Sequence, residues 1–203
     1  MSIKQRVKQH MRENRWQYLL IVIIFLVGII IGNYKVLSLE GGVKNHLLTL
    51  IDNYLRGGMD GSLDGKGIFF SAFLNQAKTV AAVWFLGLTV IGLPLILAVI
   101  FLRGCSLGFT IGFLYQEKAW TGVLISLVSV LPQNLVYIPL LIIWAVIALN
   151  FSVFLVRGRN SSIIPLGTGL LSYSILMLVF MLLFLLGAFI EAFLSPWLLT
   201  LFS

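Results

Sequence analysis

One apolar stretch, residues 81–140, constrains the fold more than any other part of this sequence. Its sixty residues contain only three charged side chains, Arg103, Glu117 and Lys118. The stretch is too apolar for the core of a soluble domain, and it is too long for a single membrane crossing, which needs about 20 residues. Because glycine, proline and amide residues interrupt it, we expect a packed helical assembly in which neighbouring protein satisfies the freed backbone groups.

The composition places the whole chain in a membrane. Of the 203 residues, 60% are hydrophobic and 10% are charged, whereas soluble domains average about 25% charged residues. Five of the fourteen basic residues fall within the first fifteen positions: Lys4, Arg6, Lys8, Arg12 and Arg15. A basic flank next to an apolar span is typical of the cytoplasmic side of a membrane protein, not of a nucleic-acid-binding surface. We therefore predict a single membrane domain, 1–203, with a cytoplasmic flank at 1–15 and no nucleic-acid partner.

Apolar segments separated by polar boundaries predict an all-α bundle of about five crossings, with a cytoplasmic N-terminus and an extracytoplasmic C-terminus. The predicted spans are residues 16–34, 79–102, 106–115, 120–156 and 170–194. The third is short, so residues 104–134 form either full spans or a re-entrant hairpin. Arg103 is expected at a cytoplasmic edge, and residues 115–120 form a polar turn expected at the outer interface. No charged residue is expected near the middle of a span.

Residues 35–78 form the only sizeable polar region, and we predict that it is an extracytoplasmic amphipathic loop. Its basic and acidic residues are nearly balanced, unlike those of the N-terminal flank. Four apolar residues recur at helical spacing within it: Val43, Leu47, Ile51 and Tyr54. Two interpretations stay open: an interfacial helix that lies on the bilayer, and a docking surface for an extracytoplasmic partner.

Three glycines in the apolar stretch repeat every four residues: Gly104, Gly108 and Gly112. They would lie on one helix face, where the missing side chains let a neighbouring helix approach closely. The spacing is compatible with packing inside one chain and with a homodimer.

The segment Pro132-Gln133-Asn134 must break an almost uncharged run that would otherwise be too long for a bilayer. Its two amides have two possible roles. Either they hydrogen-bond the backbone groups that Pro132 leaves free, or they line a polar cavity or passage.

The sequence contains no recognisable catalytic, cofactor-binding or metal-binding motif. The two histidines, His10 and His46, are predicted on opposite sides of the membrane, and Ser126 and Ser129 lack a basic partner in the same stretch. We therefore predict no enzymatic activity, no cofactor and no metal. Glu191, an acidic residue deep in an apolar context, is expected to make a structural contact near the outer end of the last helix.

Five ordered motifs cover much of the chain: WFLG at 84–87, IGLP at 91–94, GFTIGFL at 108–114, SLVSVLPQNL at 126–135 and GAFIEAFLSP at 187–196. Together they strongly resemble stage II sporulation protein M, a family of endospore-forming bacteria. The resemblance implies a protein of the mother cell membrane at the sporulation septum that acts in engulfment. It also implies partners: an amidase/endopeptidase, stage II sporulation protein P, and through it a lytic transglycosylase, stage II sporulation protein D.

Two functions from different classes are therefore expected. The first is a membrane scaffold that contacts lipid and recruits these peptidoglycan hydrolases. Its partner contacts are predicted at four residues: Lys44, Asp52, Arg56 and Glu191. The alternative is a transporter, channel or permease-like subunit that uses the broken helix at Pro132-Gln133-Asn134.

Overall fold

The computed structural model describes four ranges of the chain: residues 3–59, 64–89, 91–157 and 166–200. These residues form eight α-helices and one π-helical segment, with no strand among them. The helices are α1 (Ile3–Glu13), α2 (Arg15–Val36), α3 (Gly41–Met59), α4 (Gly65–Gly87), α5 (Gly92–Ser129), α6 (Leu131–Arg157), α7 (Leu166–Phe189) and α8 (Ser195–Thr200). The π-helical segment, Ile190–Leu194, joins α7 to α8.

Five helical segments are long and apolar enough to cross a membrane: Arg15–Val36, Gly65–Gly87, Gly92–Ser129, Leu131–Leu155 and Gly167–Leu198. Leucine, isoleucine and valine side chains are exposed along α2, α5 and α7, as expected for helices whose outer surfaces face lipid. The predicted all-α, polytopic membrane architecture is therefore confirmed.

Contacts between the helices define the two ends of the bundle. At one end, Gln17 Nε2 donates to Asn150 Oδ1 (2.8 Å), and Ser152 Oγ donates to the carbonyl of Thr89 (2.8 Å). At the other end, α3 packs against α8. We call the first the inner end, because it adjoins the basic N-terminal helix α1, and the second the outer end.

The second span differs from the sequence prediction. Instead of one helix over 79–102, the chain forms α4 as far as Gly87, turns at residues 88, 89 and 91, and starts α5 at Gly92. Pro94 consequently lies in the first turn of α5, where its missing N–H costs no intrahelical hydrogen bond, and it does not kink a span. The hydropathy pattern misses this turn because the turn residues are themselves mostly apolar.

The earlier turn also changes the third span. The predicted 106–115 segment is part of a longer helical arm, 92–118, which would extend about 40 Å and can cross the bilayer completely. The chain then changes direction at Ala119, the one non-helical residue inside α5 (φ 48°, ψ −128°). Gly122 lies directly against the arm that precedes the reversal. The arm is therefore a full-length helix and not a short re-entrant piece, and its reversal falls within the predicted outer turn.

The core of the inner half is aromatic and closely packed. The indole of Trp144 is fully buried between α4, α6 and α7, and its Nε1 donates to the carbonyl of Val80 (3.1 Å). Its ring centroid lies 5.2 Å from that of Tyr173, which in turn stacks on Phe151 at 4.2 Å. This packing fixes α4, α6 and α7 relative to one another and positions the polar groups nearer the outer end.

The glycine series of α5 packs against α2. A Cβ on Gly104 would overlap the carbonyl oxygen of Phe25. A Cβ on Gly108 would overlap the carbonyl of Ile29, and Gly112 is buried in the same interface. The residue numbers of the contacting positions increase together along the two helices. α2 and α5 therefore run in the same direction, with their backbones in direct contact. Within the structure this close approach joins two helices of one chain.

Candidate functional site

Four polar side chains from separate elements lie close together inside the bundle. They are Gln76 of α4, Arg103 of α5, Tyr137 of α6 and Glu191 of the π-helical segment. Arg103 Nη2 donates a hydrogen bond to Gln76 Oε1, and the Tyr137 hydroxyl donates to Glu191 Oε2 at 2.9 Å. We call these four residues the polar cluster. Ionisable groups at such depth in a membrane bundle are uncommon, and they usually face the bundle interior or a cavity.

The position of Arg103 overturns two expectations from the sequence. Arg103 lies near the middle of the 92–118 arm and not at a cytoplasmic edge, and Glu191 lies inside the Gly167–Leu198 span. The expectation that spans lack central charges is therefore wrong. The physical reason is the turn between Gly87 and Gly92, because it starts the third span eleven residues before Arg103.

The charges of Arg103 and Glu191 are each bonded to a neutral partner. Within the described part of the chain, the two residues form no ion pair within 4 Å of each other. Arg103 donates to an amide oxygen, and Glu191 accepts from a phenol. A guanidinium group carries five N–H donors, so one bond to Gln76 leaves most of its donor capacity for other groups.

The two amides of the helix break hydrogen-bond backbone carbonyls one turn before them, and one of the two also lines a cavity. Gln133 Nε2 donates to the carbonyl of Ser129 (2.6 Å), and Asn134 Nδ2 donates to the carbonyl of Val130 (2.7 Å). The two accepting carbonyls belong to the last residue of α5 and to the residue between α5 and α6. Asn134 also lines the cavity described below. The break is thus capped by its own side chains and borders a polar space.

The π-helical segment Ile190–Leu194 brings the last span against this break. Ser195, just after the segment, donates through Oγ to Gln133 Oε1 (2.8 Å), and both side chains are buried. Glu191 within the segment reaches Tyr137 on the same helix as Gln133. Single π-helical turns inside longer helices are rare and are frequent at functional sites. Two hydrogen bonds therefore couple α6 to the end of the last span.

A cavity of about 110 Å³ lies next to the polar cluster. Gln76, Arg103 and Tyr137 line it, together with Thr110 and Asn134. These polar groups, one of them basic, face the cavity together with apolar side chains, and a cavity between spans with a few convergent polar groups is typical of a binding or conduction site. Among the described residues, no group of three or more His, Cys, Asp or Glu side chains could hold a metal ion.

At the outer end, two ion pairs join α3 to the last two residues of the first arm of α5. Lys44 Nζ lies 2.8 Å from Glu117 Oε1, and Lys118 Nζ lies 2.8 Å from Asp52 Oδ1. The hydrogen bond and positive charge of Lys118 lower the pKa of the Asp52 carboxyl. Burial, together with the charge of Glu191, raises the pKa of Tyr54. Leu47, Ile51 and Tyr54 of the predicted apolar face are therefore partly buried against the bundle, whereas Val43 is exposed. Two ion pairs hold the helix in this orientation.

The four predicted partner-contact residues have different environments in the structure. Lys44 and Asp52 are occupied by the ion pairs within the chain, and Glu191 belongs to the polar cluster. Arg56 is exposed on the outward side of α3. Three further exposed polar residues share that side at helical spacing: His46, Thr49 and Asn53. We call this row, with Arg56, the outer face of α3.

Sequence reasoning did not identify Gln76, Tyr137 or Ser195 as members of the site. Gln76 lies in a segment read as part of the polar loop, so its membrane depth was hidden by the misplaced second span. Tyr137 carries a usable signal, because the hydroxyl of a tyrosine in an apolar helix usually needs a hydrogen-bond partner. Ser195 gives no such signal, since serine also occurs at helix interfaces without a specific bond.

A family model described as stage II sporulation protein M matches residues 21–196 of the chain. The match includes all four residues of the polar cluster, the broken helix and α3. No curated protein and no solved structure matches the chain.

Proposed function

This chain belongs to the stage II sporulation protein M family, and on that premise we propose that it is a non-enzymatic membrane anchor that recruits peptidoglycan hydrolases during engulfment. As a member of this family it is a sporulation-related, multi-pass membrane protein. In the proposed role it lies in the mother cell membrane at the septum. There it holds the amidase/endopeptidase, stage II sporulation protein P, and through that protein the lytic transglycosylase, stage II sporulation protein D.

The observation that supports this proposal most directly is the fixed position of α3 at the outer end. A recruiter needs a surface with a defined orientation on the side where the partner works. The ion pairs of Lys44 and Asp52 fasten α3 at two positions that lie two helical turns apart. Its polar outer face remains exposed, so a partner can contact it without entering the membrane.

The proposed division of labour revises the role of each predicted contact residue. Lys44 and Asp52 orient α3 through their bonds to α5, while Arg56 belongs to the face available to a partner. Glu191 acts indirectly, because its hydrogen bond with Tyr137 holds the end of the last span against α6. Partner binding should therefore depend directly on Arg56 and indirectly on the other three.

The test is co-purification in detergent of the full-length chain with stage II sporulation protein P from the same cells. We expect Arg56→Glu to reduce the recovered partner at least about tenfold, because it reverses a charge in the contact face. Lys35→Glu is the matched control, since Lys35 is also basic and exposed but lies at the end of α2. Undiminished recovery with Arg56→Glu and with a bulky Asn53→Trp variant would remove the outer face from the proposal. Purification of the wild-type chain alone, folded, would contradict recruitment itself.

One observation favours a second candidate function, a transporter, channel or permease-like subunit. The cavity at Arg103 borders the broken helix at Pro132-Gln133-Asn134, an arrangement found in transporters. The double variant Gln133→Leu and Asn134→Leu separates the two functions. If the chain is a conduit, the double variant should lose solute flux in liposomes while it stays folded and binds its partner. If the chain is an anchor, the double variant should be less stable, and the wild type should show no solute flux.

A further inference from the structure

We propose that the apolar groove between Leu107 of α5 and Leu135 of α6 binds a transmembrane helix of a different protein, and that an aspartate or glutamate near the middle of that helix pairs with Arg103. This surface lies within the membrane, so the inference does not depend on the outer face of α3 or on which hydrolase is recruited. It rests on three features of one place: a guanidinium group with no acidic partner among the described residues, its depth, and a groove beside it that faces lipid.

Arg103 has no carboxylate partner within the described ranges of the chain. Its Nη2 donates to the amide oxygen of Gln76, and no carboxylate oxygen of a described residue lies within 4 Å of its guanidinium nitrogens. Glu191 is bonded to Tyr137, and α2, α4, α6 and α7 contain no Asp or Glu. A guanidinium group has five N–H donors and binds a carboxylate through two parallel hydrogen bonds. Because charged side chains inside membranes usually pair with one another, this site fits a carboxylate from another molecule.

The depth of Arg103 limits what that molecule can be. Arg103 lies near the middle of the 92–118 arm, whereas lipid headgroups lie about 15 Å from the centre of the bilayer. A protein segment reaches the middle of the hydrocarbon region only as a helix or a closed barrel, because its backbone groups must hydrogen-bond internally. A carboxylate side chain on a transmembrane helix therefore matches the depth of Arg103.

The cavity beside Arg103 adjoins the groove. The two spaces share four lining residues: Leu107, Val130, Asn134 and Ile138. Ser106 also lines the cavity and is exposed on α5. The cavity measures about 110 Å³, and since a single water needs only about 10–15 Å³ measured in this way, it has room for a carboxylate group. Asn134 bonds the Val130 carbonyl through one amide hydrogen and has a second for an incoming carboxylate.

The walls of the groove suit a helix. On α6, Leu131, Leu135 and Pro139 recur every four residues and are exposed on the outside of the bundle. On α5, Leu107 and Ile111 have the same spacing. Rows of side chains four residues apart form the ridges between which another helix packs. Apolar walls with a cation beside them match an apolar helix that carries one carboxylate.

A second copy of this chain is a poorer match, because its acidic residues lie elsewhere or are already bonded. Five of the seven precede α4, and none of the five lies in the span of α2. Glu117 is at the outer end of its arm and pairs with Lys44. Glu191 is bonded to Tyr137 inside its own bundle. The occupant that fits the groove is therefore a helix of a different protein.

The test measures binding of a model peptide to the full-length protein in phosphatidylcholine liposomes, by energy transfer between fluorophores on the two. The peptide is a leucine–alanine helix of about 20 residues with a glutamate at its centre and lysines at both ends. In one control peptide leucine replaces the glutamate, and in the other the glutamate lies two turns nearer one end. We expect the central-glutamate peptide to bind the wild type at least about tenfold more tightly than either control, through charge-assisted hydrogen bonds formed only at that depth.

Two variants of the chain locate the site. Arg103→Gln should abolish the preference for the central glutamate, whereas Arg56→Gln, which removes an exposed positive charge elsewhere, should keep it. Leu135→Trp should weaken binding of the central-glutamate peptide at least about fivefold, because the indole fills the groove. Leu171→Trp is its matched control, since Leu171 is 62% exposed on α7 and Leu135 is 66% exposed on α6.

Three results would overturn the proposal. One is equal binding of the three peptides by the wild type. Another is an unchanged preference in Arg103→Gln while its thermal unfolding shows that it is folded. The last is energy transfer between two labelled copies of the chain that the central-glutamate peptide does not reduce, which would assign the groove to a second copy. If Arg103→Gln fails to fold, the surface variant Leu135→Trp decides the question, and unchanged binding of the central-glutamate peptide in it would reject the groove.

Discussion

The first arm of α5 has two faces that are built in opposite ways. Towards α2 it presents Gly104 and Gly108, and the two backbones touch without any side chain between them. Towards α4 and α6 it presents Arg103 and Thr110, which line a polar cavity. One helix thus forms a tight, dry interface and one side of a polar space, in adjacent positions of the sequence.

The difference follows from what stabilises helix association in lipid. Apolar side chains gain little by leaving hydrocarbon for another apolar surface, so close van der Waals packing and hydrogen bonds have to hold the helices together. The α2 interface uses the first of these, and the polar cluster uses the second. Small residues make the dry face intolerant of added volume, whereas the polar face should be intolerant of lost hydrogen-bond partners.

The largest expected effect is on the dry face. Gly108→Leu would place a side chain on the backbone of Ile29, which cannot move without separating α2 from α5. We expect a loss of about 3 kcal/mol or more in the free energy of unfolding, as found for severe overpacking. Thermal unfolding in detergent measures it.

Gly167→Leu is the matched control for that variant, since no atom lies within 4 Å of the added Cβ at Gly167, near the start of α7. Equal stability of both leucine variants would mean that α2 and α5 are not in backbone contact. The comparison between the two faces of α5 would then fail.

The two faces also differ in how far sequence could predict them. The spacing of Gly104, Gly108 and Gly112 directly indicates a helix face for close packing, because a period of four is a local property of the chain. The polar cluster joins residues from four elements that are far apart in sequence, so it depends on where each span begins. Missing the turn between Gly87 and Gly92 was enough to put Arg103 at the wrong depth and to leave Gln76 in a loop.

Two further features carry no reliable local signal. The reversal at Ala119 falls within a turn that the polar residues before it predict, but the positive φ at an alanine does not follow from its residue type. The π-helical segment Ile190–Leu194 depends on one inserted residue relative to α-helical hydrogen bonding, and its apolar sequence fits either form. Both features are set by tertiary packing, whereas the number of spans followed from hydropathy.

A smaller loss is expected on the polar face. Tyr137→Phe keeps the ring but removes the hydroxyl that donates to Glu191, so a partly buried carboxyl group loses its bonding partner. We expect a destabilisation of about 1–3 kcal/mol. Unfolding of the purified protein in detergent tests this, with Tyr34→Phe as control because Tyr34 is exposed at the outer end of α2. A neutral Tyr137→Phe variant would show that packing alone positions the last span against α6.

The smallest effect on stability is expected at the water-exposed outer end of the first arm of α5, where Lys118 pairs with Asp52 of α3. Because Lys118 lowers the pKa of Asp52 in the docked state, the docked helix favours the ionised carboxylate. The stabilisation is present above the ordinary carboxyl pKa of 3.8 and is lost as the pH falls through the lowered value. Hydrogen exchange of the α3 amides should therefore show weaker protection below about pH 4, with most of the bundle unaffected. Asp52→Asn should remove this pH dependence, since the amide does not titrate. If the α3 amides of Asp52→Asn still lose protection over the same range, another acidic group holds α3, and the Lys118 contact is incidental.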